Sequence, residues 1–122
     1  MNPAWVPAII KEAHRLGMRV AGHVPAFSNA DAMMAAGYDE MTHINQFMLG
    51  WVLAPTEDTR TLLRITALKR LQNLDLNSDK VQHTIGMLID RKLAIDPTLG
   101  IHEMLTLGRD GQTPPGAVDY ID

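Results

Sequence analysis

A chain of 122 residues with net charge -3, mean hydropathy -0.06 and 46% hydrophobic residues has the makings of one soluble core. Mild acidity argues against a nucleic-acid surface, and no run approaches the ~18 apolar residues that span a bilayer. There is no cysteine, so disulfides, thiolate nucleophiles and sulfur metal sites are excluded, and any metal must be held by nitrogen and oxygen. The same absence, with no basic-then-apolar leader pattern at the N-terminus, fits a cytoplasmic setting.

In chain order, Asn2 followed by Pro3 is a cap residue before a proline at the first helical position. Trp5, Val6, Ile9, Ile10, Ala13 and Leu16 then recur at helical spacing, and Gly17 supplies a left-handed stop. The stretch from Met18 to Val24 reads as a strand. Alternation turns Arg19, Ala21 and His23 to one side, and Met18, Val20, Gly22 and Val24 to the other, where helices would pack. Ser28 with Asp31 three residues later resembles a capping box ahead of a short helix, Ala30 to Ala36, ended by Gly37. A second strand follows, with Asp39, Met41 and His43 expected on one face and Glu40, Thr42 and Ile44 on the other.

Residues 45–58 are apolar but broken by Gly50 and Pro55, which suggests a loop or short helix over the strand ends. Asp58 and Thr59 then cap a helix reaching about Asn73, and Ser78 caps another with Val81, Ile85, Leu88 and Ile89 as its stripe. Leu93 to Leu99 reads as a third strand, with Pro97 near its terminus rather than in a ladder. From Gly108 onward glycine and proline recur without amphipathic period, so 108–122 is expected to be an irregular tail and 1–107 the folded unit. Strand, helix, strand with a histidine at each strand end is the βαβ grammar of α/β proteins, where chemistry collects at the C-terminal ends of strands.

Three segments together carry a resemblance: 13–23, ending in Gly22-His23; 36–43, ending in Thr42-His43; and 95–99, containing Asp96-Pro97-Thr98. In this order and spacing they resemble the metal-dependent amidohydrolase superfamily, most closely its imidazolonepropionase-like and prolidase-like branch. The resemblance implies a (β/α)8 TIM barrel, of which this chain would be a partial fragment: strands five, six and seven with their packing helices. It implies that His23 and His43 are metal ligands, the metal being a divalent ion such as zinc. No catalytic residue is assigned. His102, just after the third strand, would line the substrate site.

The rest of the family's pattern is absent. No two histidines are separated by one residue, Lys11 is the one lysine before His23 and falls on a helix, and Asp110, Asp119 and Asp122 fall in the expected tail. A barrel of this type takes roughly 250 residues, so the chain corresponds to less than half. A catalytic zinc takes about three protein ligands and keeps one position for water, whose pKa falls towards ~7. Two imidazoles make only part of such a shell, so the isolated chain is expected to be a poor catalyst. The expected function of the whole is hydrolysis of a C–N bond in a cyclic amide, an amide or a dipeptide, with a small-molecule amide as partner and neither nucleic acid nor membrane. The chain itself is expected to self-associate as a homo-oligomer through open strand edges.

Blander readings stand beside these. A histidine near a strand end is more often a satisfied polar residue than a ligand, and His14 and His83 read as solvated helix residues. The methionines at 33, 34 and 41 read as core filler, and Lys69, Arg70, Arg91 and Lys92 as ordinary helix-end charges. The competing function is a non-catalytic structural or interaction unit that keeps the barrel segment without its chemistry. A Rossmann-type nucleotide binder has little support, because no G-x-G-x-x-G follows any strand.

Overall fold

The computed structural model describes residues 2–106, with backbone alone for 103–106. The expected irregular segment 108–122 lies outside the described residues. Asn2 caps the first turn as its type suggests: its Oδ1 accepts a hydrogen bond from the Ala4 N–H at 3.0 Å. A 3-10 turn at Pro3–Trp5 leads into α1 (Val6–Arg15), and Gly17, at φ 72°, ends the run. Only part of the apolar stripe is buried. Val6 and Ile10 are in the core, whereas Trp5, Ile9 and Leu16 are exposed.

Next come β1 (Ala21–Gly22) and α2 (Ala30–Ala36). The cap of α2 is Asn29 rather than the Ser28–Asp31 pair, with Asn29 Oδ1 accepting from the Ala32 N–H at 2.8 Å. Asp31 is released for another task, described below. Gly37 ends α2 at φ 106°, and a Cβ there would meet Ile10 Cγ2 at 3.2 Å, so the turn requires glycine twice over. After β2 (Glu40–Thr42), α3 (Ile44–Leu49) takes the apolar stretch that composition left ambiguous. Phe47 and Leu49 are buried, so this segment contributes to the core.

The helix expected from Asp58 to Asn73 is shorter and broken. It comprises α4 (Leu63–Thr66) and a 3-10 stretch, Ala67–Asn73, that packs against α3. Asp58 does not cap it. Its carboxylate is held by the Arg60 side chain instead, at 2.8–3.1 Å. Arg70 is likewise more than a helix-end charge, gripping Glu57 through two 2.8 Å bonds and closing the loop. Then follow α5 (Asp79–Arg91), β3 (Ala94–Asp96) and α6 (Leu99–Thr106), so the third strand ends before Pro97.

The result is a mixed α/β fold with a three-stranded parallel sheet in the order β1-β2-β3. Register pairs Ala21 with Glu40 and Gly22 with Met41 on one side, and Glu40 with Ala94, Met41 with Ile95 and Thr42 with Asp96 on the other. Residues paired in this way share a face. Gly22, Met41 and Ile95 therefore face the helices, and Met41 is fully buried among Val6, Ile10, Met33, Met34 and Phe47. This corrects the expected face for Met41. The opposite face carries Ala21, Glu40, Thr42, Ala94 and Asp96, small or polar, with Arg19 reaching Glu40 at 3.8 Å.

Three polar clamps hold the layers. The Thr84 hydroxyl, 1% exposed, donates to Asp31 Oδ1 at 2.7 Å and accepts from Trp51 Nε1–H at 3.0 Å, joining α5, α2 and the segment after α3. Arg91 donates to the Met34 carbonyl at 2.7 Å, tying the end of α5 to α2. Asp39 Oδ2 accepts from the Val20 N–H at 2.7 Å and meets His14 Nε2 at 2.9 Å. His14 is thus a bridge from α1 to the start of β2 rather than a merely solvated side chain.

Candidate functional site

Parallel pairing of β1 and β2 delivers His23 and His43 to the same end of the sheet. Their ring centroids are 4.5 Å apart with planes tilted by 54°. His23 stays in phase with Ala21, on the face away from the core. By alternation alone, His43 would share the buried face of Met41. It escapes that phase because its backbone turns to φ 65°, ψ 98°. The turn is held by the neighbouring strand, the His43 N–H donating to the Asp96 carbonyl at 2.8 Å. The chain after each strand passes through such a left-handed non-glycine residue: Phe27 at φ 63°, His43 at 65° and Thr98 at 49°. Each costs about 1–2 kcal/mol, so the strand ends are held under strain by their surroundings.

Thr98 completes the placement of His43. Its Oγ1 lies 2.6 Å from His43 Nδ1 and donates its single proton to the Pro97 carbonyl at 2.8 Å. It therefore accepts from Nδ1–H, so that the lone pair of the neutral ring falls on Nε2. Metal-binding histidines are commonly fixed in this way by a second partner on the far nitrogen. Burial, then the charge of His43, then that of Arg64 press the His23 pKa below its usual 6.5, so this imidazole is neutral at neutral pH. Tyr38 donates to the His23 carbonyl at 3.3 Å, steadying the backbone there.

Several polar atoms near these segments are buried without a hydrogen-bond partner: Thr42 Oγ1, Asn45 Oδ1, Gln46 Oε1 and Arg64 Nε. Thr42, Asn45 and Gln46 flank His43 in sequence, and Arg64 is near enough for its charge to act on His23. Such a concentration is unusual, since native chains satisfy nearly all buried polar groups.

The two imidazoles supply two nitrogen ligands. Among the described residues no group of three or more His, Cys, Asp or Glu side chains could hold a metal ion. The residues present thus fit part of a zinc shell. His102 lies on α6, half-buried. A separate cavity of about 180 Å³ is lined by Val24, Pro25 and Phe27 from the loop after His23 and by Gln46, Leu49 and Leu53 from the segment after His43. Neither histidine lines it.

Sequence reading did not single out Thr98 or Arg64. Thr98 carried a positional signal, standing just past the end of the strand beside that of His43, where functional side chains collect in α/β folds. Arg64 carried none, since it falls in the interior of an apparently ordinary helix. No protein-family model, no curated protein and no solved structure matches this chain.

Proposed function

We propose that the chain is a partial (β/α)8 barrel of the metal-dependent amidohydrolase type, its three strands being the fifth, sixth and seventh, with His23 and His43 as two of the ligands of a divalent metal, zinc first. The observation that carries this reading is the meeting of two imidazoles at the same end of adjacent parallel strands. The whole enzyme would hydrolyse a C–N bond in a small amide, the metal supplying an acidified water for attack on the carbonyl. In this chain, His23 is kept neutral by burial, and His43 is kept in one tautomer by Thr98. Both effects hold nitrogen lone pairs ready for a cation. The remaining ligands and the general acid or base belong elsewhere in the assembled protein.

Calorimetric titration of zinc into the chain tests the reading, with His23→Ala as control. Weak binding that disappears in the variant is expected. Tight binding that survives the substitution would show that the ligands are other residues.

A second reading, a non-catalytic interaction unit, is favoured by a different observation. Trp5 (62%), Ile9 (45%) and Leu16 (57%), in and around α1, are exposed, as is Ile89 (70%) on α5. Exposed apolar side chains and unpaired strand edges both suit docking to other protein. If His23→Ala and His43→Ala leave zinc binding unchanged while self-association persists, this second reading replaces the first.

A further inference from the structure

The cavity between the loop ahead of α2, the segment after α3 and the start of α5 has walls of two kinds. Phe27, Leu49, Leu53 and Pro55 make it apolar, and Glu57 and Lys80 are the ionisable side chains that line it. Leu49 is buried while Phe27 and Lys80 are exposed, so the lining runs from a dry floor to a rim open to water. The two charges are not equivalent. Glu57 is already neutralised, because Arg70 donates to both of its oxygens at 2.8 Å and the Ala54 N–H bonds it as well. Lys80 has no such match. It joins no ion pair among the described residues, and its Nζ donates to the Trp51 carbonyl at 3.0 Å. That bond anchors the ammonium at the rim and leaves further N–H donors for an incoming acceptor.

The aromatic wall is held as firmly. Phe27 keeps a left-handed backbone, φ 63°, and its ring centroid lies 5.1 Å from the guanidinium carbon of Arg60, which Asp58 in turn grips. A strained residue persists only where its surroundings over-determine it, and here they keep an aromatic side chain on the cavity wall. An apolar cavity of roughly 150 Å³ holds one benzene ring. At about 180 Å³ this one has room for a single ring or a short branched chain. We infer that the cavity binds a small monoanion with a compact apolar body, the body against Phe27, Leu49 and Leu53 and the anionic group on Lys80. A neutral ligand of the same shape forgoes the attraction of the ammonium, and a cation is repelled by it. The inference stands apart from the hydrolase reading, since neither histidine lines the cavity.

The test uses the folded chain without metal and probes of one shape: anionic benzoate, neutral benzamide and cationic benzamidine. NMR follows the methyl signals of Leu49 and Leu53 as each probe is added at constant ionic strength. Benzoate is expected to give saturable shifts at both in the millimolar range, with benzamide about fivefold weaker and benzamidine weaker still. Lys80→Met should abolish that preference and Lys80→Arg should keep it, while Leu53→Trp, which fills the cavity, should remove binding of every probe. Circular dichroism checks the fold of each variant. Lys80 is exposed, so its variants decide the matter if Leu53→Trp does not fold. A folded parent with no saturable benzoate shift would overturn the inference, as would unchanged binding in a folded Leu53→Trp. Equal binding of benzamide, or a preference that survives Lys80→Met, would overturn the anionic assignment. In His23→Ala the benzoate response should persist, and its loss would move the ligand to the histidine pair and overturn the cavity as its site. No arm reads zinc binding, so the two readings fail separately.

Discussion

Thr84 and Thr98 show how much one hydroxyl can organise. Thr84 satisfies both Asp31 and the Trp51 indole in a place closed to solvent, so Thr84→Val would strand an acceptor and a donor together. A loss of about 1–3 kcal/mol in unfolding free energy is expected, read as a lower denaturant midpoint at unchanged slope. Thr98→Ala should leave stability nearly intact but free the His43 ring to change tautomer. Zinc affinity is then expected to fall about 10-fold or more by calorimetry, the usual cost of losing such an outer partner. Asp39 gives a pH dependence. Its carboxyl is held below the ordinary range, first by the Val20 N–H and then by His14. A depressed carboxyl contributes stability that is full above the unfolded value near ~3.9 and is lost as pH falls through the lower folded value. Acid titration of stability should therefore flatten in Asp39→Asn over that range; an unchanged profile would show that the bridge from α1 to β2 is inert.

The elements most legible in the sequence are those closed by chain chemistry. Asn2 with Pro3, Gly17 and Gly37 mark helix ends correctly, and the periodic run from Val81 finds α5. The meeting of His23 and His43 was legible too, because strand–helix–strand with a short helix permits little besides parallel neighbours. What periodicity could not show was the face of Met41 and the turn of His43. A backbone at φ 65° breaks the two-residue alternation, and the break is enforced by Asp96, fifty-odd positions away in sequence. The helix from Asp58 failed for a related reason: Asp58 bonds its near neighbour Arg60 instead of capping. Turns also carry sharp expectations. Gly37→Ala combines a left-handed backbone with a close approach to Ile10, so a loss of about 1–2 kcal/mol is expected in thermal melts, whereas Gly86→Ala, mid-helix with open space around it, should be neutral or stabilising.

As a whole, the molecule buries the Met41 face of its sheet in the apolar core, while the other face carries Glu40, Thr42 and Asp96. Among the described residues, both outer strands of the three-stranded sheet have a side without a paired strand. Trp5, Ile9, Met18 and, on α5, Ile89 are exposed apolar residues. Association is expected to use these residues and not Phe47 or Leu49, which the core already consumes. Light scattering at micromolar concentration should report a dimer or larger species, reduced towards monomer in Ile9→Glu. A monomer of the parent would show that the edges are tolerated in water.

Because β2 lies between the other two strands, neither outer strand has a partner of its own without it. Release of β2 would therefore free the amides of all three strands in a single event, and the His43 N–H bonded across to Asp96 would go with them. Deuterium uptake should accordingly show these amides sharing one opening free energy, well above that of the 3-10 stretch at Ala67–Asn73, where bonds are local and lysine and arginine side chains face water. The candidate ligand histidine would then be locked by the same cooperative unit that holds the sheet, and a bound cation would slow exchange across all three strands together.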